Sequence, residues 1–170
     1  RPDFRVMVNG VLERIWAMSD NFISVTPKTG NQTTAHHANV GGVRLALEGL
    51  RNGHPIGFFP AGAMSFGNAR GEVLDRPWTH SVIRLIRKAG VPVYPVYFDF
   101  RNSRFFYGLG WISWKIRTLR VAAEAFNKRG RTAEVYVGAP IDPDVIRSYT
   151  DDVALADFLY RRTYALPKED

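Results

Sequence analysis

Cysteine is absent from the 170 residues, which excludes disulfide staples, thiolate metal sites and a cysteine nucleophile, and fits a reducing compartment. Long apolar runs are absent too. The longest candidate, Val91 to Phe98, carries two prolines and falls well short of the roughly 18 residues that a spanning helix needs. Low-complexity tracts and internal periodicity are missing, which excludes disorder, solenoids and collagen-like structure. There is no initiating methionine and no basic-then-apolar leader, so Arg1-Pro2-Asp3 reads as a cut or processed end with sequence missing upstream. What remains is a chain that is 45% hydrophobic and long enough to bury a core, so residues 1–170 are expected to form one domain.

Acidic residues are nearly missing from one stretch. Between Arg101 and Arg131 the basic residues Arg101, Arg104, Lys115, Arg117, Arg120, Lys128, Arg129 and Arg131 are opposed by Glu124 alone, and the rest of the chain is balanced around this local +7. Such a patch suits a phosphate-rich partner, either an anionic membrane surface or a nucleic acid, and is equally what a solvated basic face looks like. Trp111, Trp114, Val121 and Ala125 form an apolar sector beside it, and Arg117, Arg120 and Lys128 share a basic strip; core packing and membrane docking both account for this pattern.

Along the chain, Phe4 to Val8 reads as a short strand ending at Asn9-Gly10, Val11 to Met18 as a helix, and Ile23 to Val25 as a second strand before a polar loop from Thr26 to Thr34. Val43, Ala46, Leu47 and Leu50 recur at helical spacing and stop at Asn52-Gly53. Pro55 to Phe59 reads as a buried strand followed by a Gly-rich loop reaching Arg76. Asp75 and Pro77 mark the start of a helix with the stripe Trp78, Val82, Leu85, Ile86 and Ala89, ending at Gly90. Val93 to Phe98 is β-prone, although Pro95 demands an edge or a bulge. Ile112, Ile116, Leu119, Ala123 and Phe126 form one face of a further helix, Thr132 to Val137 is a strand, and Asp151 to Tyr164 closes the chain as a helix capped by Thr150 or Ser148. This alternation predicts an α/β layered domain with a largely parallel central sheet, whose ligands sit beyond the carboxyl ends of the strands, at the loops after Phe59 and Phe98.

The first of these loops, Phe59-Pro60-Ala61-Gly62-Ala63-Met64-Ser65, lets backbone N–H groups approach an anion closely and adds the Ser65 hydroxyl; an ordinary strand-to-loop turn explains it as well. The second, Asp99 to Arg104, puts Arg101, Asn102 and Ser103 at the end of the next strand, where Arg101 either clamps a phosphate or pairs with Asp99 on the surface. If the two strands are parallel sheet neighbours, Ser65 and Arg101 line one crevice. His36 and His37 read as solvent-facing residues of a polar loop, and no His, Asp or Glu cluster at ligand spacing accompanies them, so no metal and no redox cofactor are inferred.

Taken in order, Phe59-Pro60-x-Gly62-x-x-Ser65, the Asp75-x-Pro77-Trp78 block, Val91-Pro92-Val93-Tyr94-Pro95-Val96, Arg101-Asn102-Ser103 and the closing Val137-Gly138-Ala139-Pro140-Ile141 are similar to a known family. Across about residues 1 to 142 the chain resembles the lysophospholipid/glycerolipid acyltransferases (1-acylglycerol-3-phosphate acyltransferase-like), near the branch that acylates glycerol-phosphate or amino-acid lipids. The resemblance implies a glycerol-phosphate acyltransferase-like fold and places Phe59, Pro60, Gly62 and Ser65 in a block that binds the substrate phosphate. It departs from that block where Ala61 and Ala63 stand for a Glu and Met64 for an Arg.

A larger departure is the lack of a His-x-x-x-x-Asp pair, which in the family deprotonates the acceptor hydroxyl during attack on a thioester. Five residues after His36, His37, His54 and His80 stand Gly41, Gly42, Phe59 and Leu85, so no catalytic residue is assigned within the chain and the pair is expected upstream of Arg1. The implied activity is transfer of an acyl chain from acyl-CoA or acyl carrier protein to a hydroxyl of a lyso-lipid acceptor, in phospholipid biosynthesis, at the cytoplasmic face of the cell membrane, with this segment inactive alone. The alternatives are a non-catalytic lipid- or phosphate-binding protein and a nucleic-acid-binding module using Tyr107, Trp111 and Trp114 as stacking surfaces, for which no known nucleic-acid motif is present.

Overall fold

A computed structural model of the chain describes residues 2–9, 20–25, 32–68, 70–113, 116–117 and 120–166. The strand β1 (Arg5–Asn9) lies between β2 (Phe22–Val25) and β3 (Ile56–Phe58) in a three-stranded parallel sheet, with Met7 opposite Ile23 on one side and Phe58 on the other. The helix α1 (Gln32–Arg51) crosses between β2 and β3 and begins well before the expected Asn39, taking in the end of what reads as a polar loop. Its Ala46 and Leu47 pack with Ile23 and with Leu85 of the next helix into one core. Gly42 permits this close approach, since a Cβ there would lie 2.8 Å from the carbonyl oxygen of Ser24 and 3.1 Å from Val25 Cγ1. The expected helix from Val11 to Met18 lies outside the described residues.

The Gly-rich loop holds a small hairpin, β4 (Phe66–Gly67) with β5 (Val73–Leu74). The helix α2 (His80–Ala89) starts later than Asp75-x-Pro77 suggests, because Thr79 turns its backbone N–H back to the carbonyl of Pro60 and the Asp75 carboxylate is engaged elsewhere. The helix ends at Gly90, in the left-handed region at φ 61°. It is buried on two sides: Leu85 enters the first core, while Ile83 and Ile86 join Ile141, Ile146, Leu155 and Leu159 in a second.

The strand β6 (Val96–Asp99) pairs antiparallel with β7 (Glu134–Val137), not parallel with β3, so the expected parallel crossover through α2 is not made among the described residues. The ladder skips Tyr94 and Pro95 and resumes at a bridge between Val93 and Ile141, with the Gly138 N–H reaching the Pro95 carbonyl at 2.9 Å. The interruption falls where proline cannot donate. It also joins two of the sequence blocks, Val91–Val96 and Val137–Ile141, side by side.

After β6 come α3 (Arg104–Ile112) and α4 (Val121–Asn127), with a break at Ser113, whose extended backbone ends α3. The expected single helix is therefore divided, and its stripe is not a core: Ile112 is 78% exposed and Phe126 80%. The chain ends with α5 (Pro143–Ser148) and α6 (Asp152–Ala165), and the cap of α6 is Asp151, which accepts from the Ala154 N–H at 3.0 Å, rather than Thr150 or Ser148. The architecture is mixed α/β. No helix of the described residues is long and apolar enough to cross a membrane.

Asp152 ties α6 to α2 through Arg84 Nε at 2.9 Å and Arg87 Nη2 at 2.5 Å. The hydrogen bond from Arg84 is the main reason its carboxyl sits below the ordinary carboxylate range; burial opposes the shift and Arg87 assists it. A lowered folded-state pKa contributes stability that is complete above the unfolded pKa and lost as pH falls through the folded value. Asp152→Asn should therefore melt at a lower temperature than the parent near neutral pH, and the two melting curves should converge in strong acid.

Candidate functional site

The loop leaving β3 is shaped by its own backbone. Gly62 takes φ +62° and donates its N–H to the Phe59 carbonyl at 3.0 Å, while the Pro60 carbonyl accepts from Thr79 N–H at 3.0 Å and Thr79 Oγ1 at 3.2 Å. Phe59 is exposed and tilts against Phe98 with 6.4 Å between ring centroids, so the ends of β3 and β6 meet although they share no ladder.

At the far end of the loop, Ser65 directs its one hydroxyl hydrogen at Asp75 Oδ1, and the other oxygen of Asp75 accepts from the Tyr164 hydroxyl. This relay fastens the loop to α6, with Tyr164 stacked on Tyr160 at 4.2 Å and Tyr160 edge-on to Trp78. Burial, then the Asp75 charge, pushes the Tyr160 hydroxyl above its ordinary pKa. The sequence singles out Asp75 as a helix start; its carboxylate instead holds Ser65.

The guanidinium that reaches Ser65 belongs to Arg117, not to Arg101. Arg117 Nη1 lies 3.4 Å from the Ser65 carbonyl oxygen, and no hydrogen bond joins Arg101 to Ser65 among the described residues. Arg117 is only 8% exposed, so it does not share a surface strip with Arg120 and Lys128. Its Cζ stands 5.8 Å from the Phe106 ring centroid, and Gly110 of α3 makes room, since a Cβ there would come within 3.0 Å of Nη1.

Arg101 is exposed, and its carbonyl accepts from Lys128 Nζ. The backbone N–H of Asn102 donates to the Tyr107 hydroxyl at 3.3 Å. Ser103 caps α3, accepting from the Phe106 N–H at 3.1 Å while its hydroxyl donates to Glu124 Oε1 at 2.7 Å and its N–H to Oε2 at 3.0 Å. Burial alone raises the Glu124 carboxyl, but the two Ser103 hydrogen bonds with Lys128 and Arg120 outweigh it and hold the carboxyl below its ordinary pKa. Ser103 thus joins α3 to α4.

Between these elements opens a cleft of about 330 Å³ lined by Met64, Phe100, Asn102, Phe106, Val121, Glu124 and Lys128. Four of its seven walls are apolar, and its size falls at the lower end of the roughly 300–1,000 Å³ of small-molecule sites. Met64, standing where the resemblance expects an Arg, is one of the apolar walls. Outside the cleft, Phe105, Trp111, Ile112, Ile116 and Phe126 are exposed beside the exposed Arg104, Arg120, Arg129 and Arg131. Arg120 lies over the Phe105 ring at 4.8 Å and Lys128 over Phe100 at 4.3 Å, so cationic groups sit directly on aromatic ones.

No family model matches the chain. The chain is similar to a protein of Phocaeicola vulgatus named lyso-glycine lipid O-acyltransferase, 28% identical over 143 residues that make up 81% of this chain and 48% of that protein. A protein of the same name from Bacteroides thetaiotaomicron is 29% identical over 143 residues, 81% of this chain and 50% of that protein. The chain spans about half the length of the curated relatives it matches. These two homologues support assignment to an acyltransferase family, in agreement with the ordered sequence blocks.

Proposed function

We propose that this chain, as a relative of lipid O-acyltransferases, forms the acceptor-binding part of an enzyme that moves an acyl chain from a thioester carrier to a hydroxyl of a lyso-lipid. The observation that carries the reading is the apolar cleft beside the Phe59–Ser65 loop, in a chain whose ordered blocks resemble those of the family. The acceptor's hydrocarbon lies along Met64, Phe100, Phe106 and Val121, and its head lies toward the Phe59–Ser65 loop. The three-stranded parallel sheet belongs to a larger layered, largely parallel sheet.

In the reaction the acceptor oxygen attacks the thioester carbonyl carbon, its proton passes to a base, and the C–S bond breaks to release the carrier thiol, acyl-CoA and acyl carrier protein both being donors of the right chemistry. No His-x-x-x-x-Asp pair lies within this segment, so on this reading the base and its orienting Asp come from elsewhere in the intact protein and the segment alone does not catalyse. The basic aromatic face of α3 and α4 holds the enzyme against anionic lipid at the cytoplasmic face of the membrane.

The test is a transfer assay with the intact protein, a labelled acyl thioester and a set of lyso-lipids carrying glycine or glycerol-phosphate heads. One ester formed per thiol released is expected. Tight lipid binding with no transfer from either carrier would instead favour a non-catalytic lipid-binding protein.

A further inference from the structure

The least accommodated charge in the described structure is that of Arg117. A guanidinium stays charged throughout the physiological range, and burying a charge is costly unless it is paired. Arg117 is 8% exposed, yet its Nε is buried with no hydrogen-bond partner, and it makes no ion pair among the described residues. Its visible polar contact is a long one, 3.4 Å from Nη1 to the Ser65 carbonyl oxygen. The nearby acid of the cleft does not compensate it: Glu124 is held by Ser103 and draws its electrostatic support from Lys128 and Arg120.

The position of this cation relates to the cleft. Arg117 packs on Phe106, a cleft wall, and reaches the carbonyl of Ser65, the residue that follows the wall residue Met64. Gly110 leaves the space that the guanidinium occupies. Arg117 does not itself line the cleft but stands against its Phe106 wall, and a cation one ring away from an apolar cleft matches an amphiphile with a negatively charged head.

We propose that Arg117 is the residue that recognises the anionic head of the acyl acceptor, a carboxylate or a phosphate, through charge-assisted hydrogen bonds, with the acceptor's hydrocarbon in the cleft. This rests on the acceptor-lipid reading above and assigns to Arg117 the role that the sequence pattern gives to Arg101. The Ser65 hydroxyl, whose hydrogen goes to Asp75, positions the loop for Arg117 rather than meeting the anion.

The test is equilibrium binding to the intact protein of three probes of equal chain length: N-palmitoylglycine, its methyl ester, and a palmitoyl lysophosphatidate. The parent protein should bind at least one of the two anions about tenfold or more tightly than the uncharged ester, and the ratio between the two anions identifies the head group. Arg117→Met should abolish the preference, Arg117→Lys should keep part of it because the charge remains without the fork, and Arg101→Ala should leave it intact. If Arg117→Met does not fold, the comparison of acid and ester on the parent protein still decides, because equal affinities overturn the proposal. A preference unchanged in a folded Arg117→Met also overturns it. An intact protein that transfers acyl chains but shows no anion preference refutes only this assignment, whereas anion preference without transfer refutes the acyltransferase reading.

Discussion

Replacing Phe106 by alanine is expected to destabilise the protein by about 3–5 kcal/mol, the range for removing a buried phenylalanine ring. Phe106 is 1% exposed and among the largest fully buried side chains of the described residues. Its ring meets Tyr107 edge-on at 5.8 Å, carries Arg117 at the same distance, and walls the cleft, while its N–H completes the Ser103 cap. Truncation removes packing on several sides and enlarges the cleft next to a buried charge. For a domain of this size each kcal/mol moves the melting temperature by about 2–4 °C, so a drop of roughly 10 °C is expected in a thermal melt. A change under about 1 kcal/mol would mean that the ring is not packed as described.

The second large effect concerns the exposed face of α3 and α4. Phe105 and Ile112 lie two turns apart on one side of α3, and Phe126 of α4 is exposed, with Arg120 over the Phe105 ring. Each large apolar side chain contributes up to about 1.5–3 kcal/mol when fully buried, and each cation near an anionic surface about 1 kcal/mol. Replacing Phe105, Ile112 and Phe126 together by serine should reduce partitioning into anionic vesicles by about 100-fold, with little effect on folding because these side chains support no core. Neutralising Arg104, Arg120, Arg129 and Arg131 with glutamine should weaken binding chiefly at low salt, since charges are screened beyond about 10 Å at 0.1 M ionic strength. Vesicle co-sedimentation checks both, and unchanged partitioning in both variants would leave this surface an ordinary solvated face. Arg117 is left out because it is buried.

Those two surfaces also show what was readable from the residues. The stripe of α2 is a periodicity that one chain segment displays by itself, and β1, β3, β6, β7 and α6 are likewise segments whose own composition and punctuation mark them. The direction of pairing is not so marked: β6 and β7 read as strands, but that they run antiparallel to each other depends on contacts between segments some 40 residues apart, as in Val96 opposite Val137. The hairpin β4–β5 was hidden because two-residue strands carry no period. The break at Ser113 was hidden for the opposite reason, because Ile112, Ile116 and Phe126 keep helical spacing although all three are exposed in the described structure.

At the site, the Phe59–Ser65 loop and the Asp75 block were evident as motifs, but their connection through Ser65, Asp75 and Tyr164 spans 99 positions between its ends and has no local signature. Arg117 looked like one more member of a basic run. Only the placement of Phe106 and Gly110 around it distinguishes it from Arg120, three residues on and exposed.

The most direct measurement of the central claim, that this segment binds the lyso-lipid acceptor, is photo-crosslinking of the intact protein with a lyso-lipid carrying a diazirine in its acyl chain, read by peptide mass spectrometry. Labelling is expected on Met64, Phe100, Phe106 and Val121, reduced by unlabelled lyso-lipid in excess. Competable labelling confined to residues outside the Phe59–Lys128 region would contradict it.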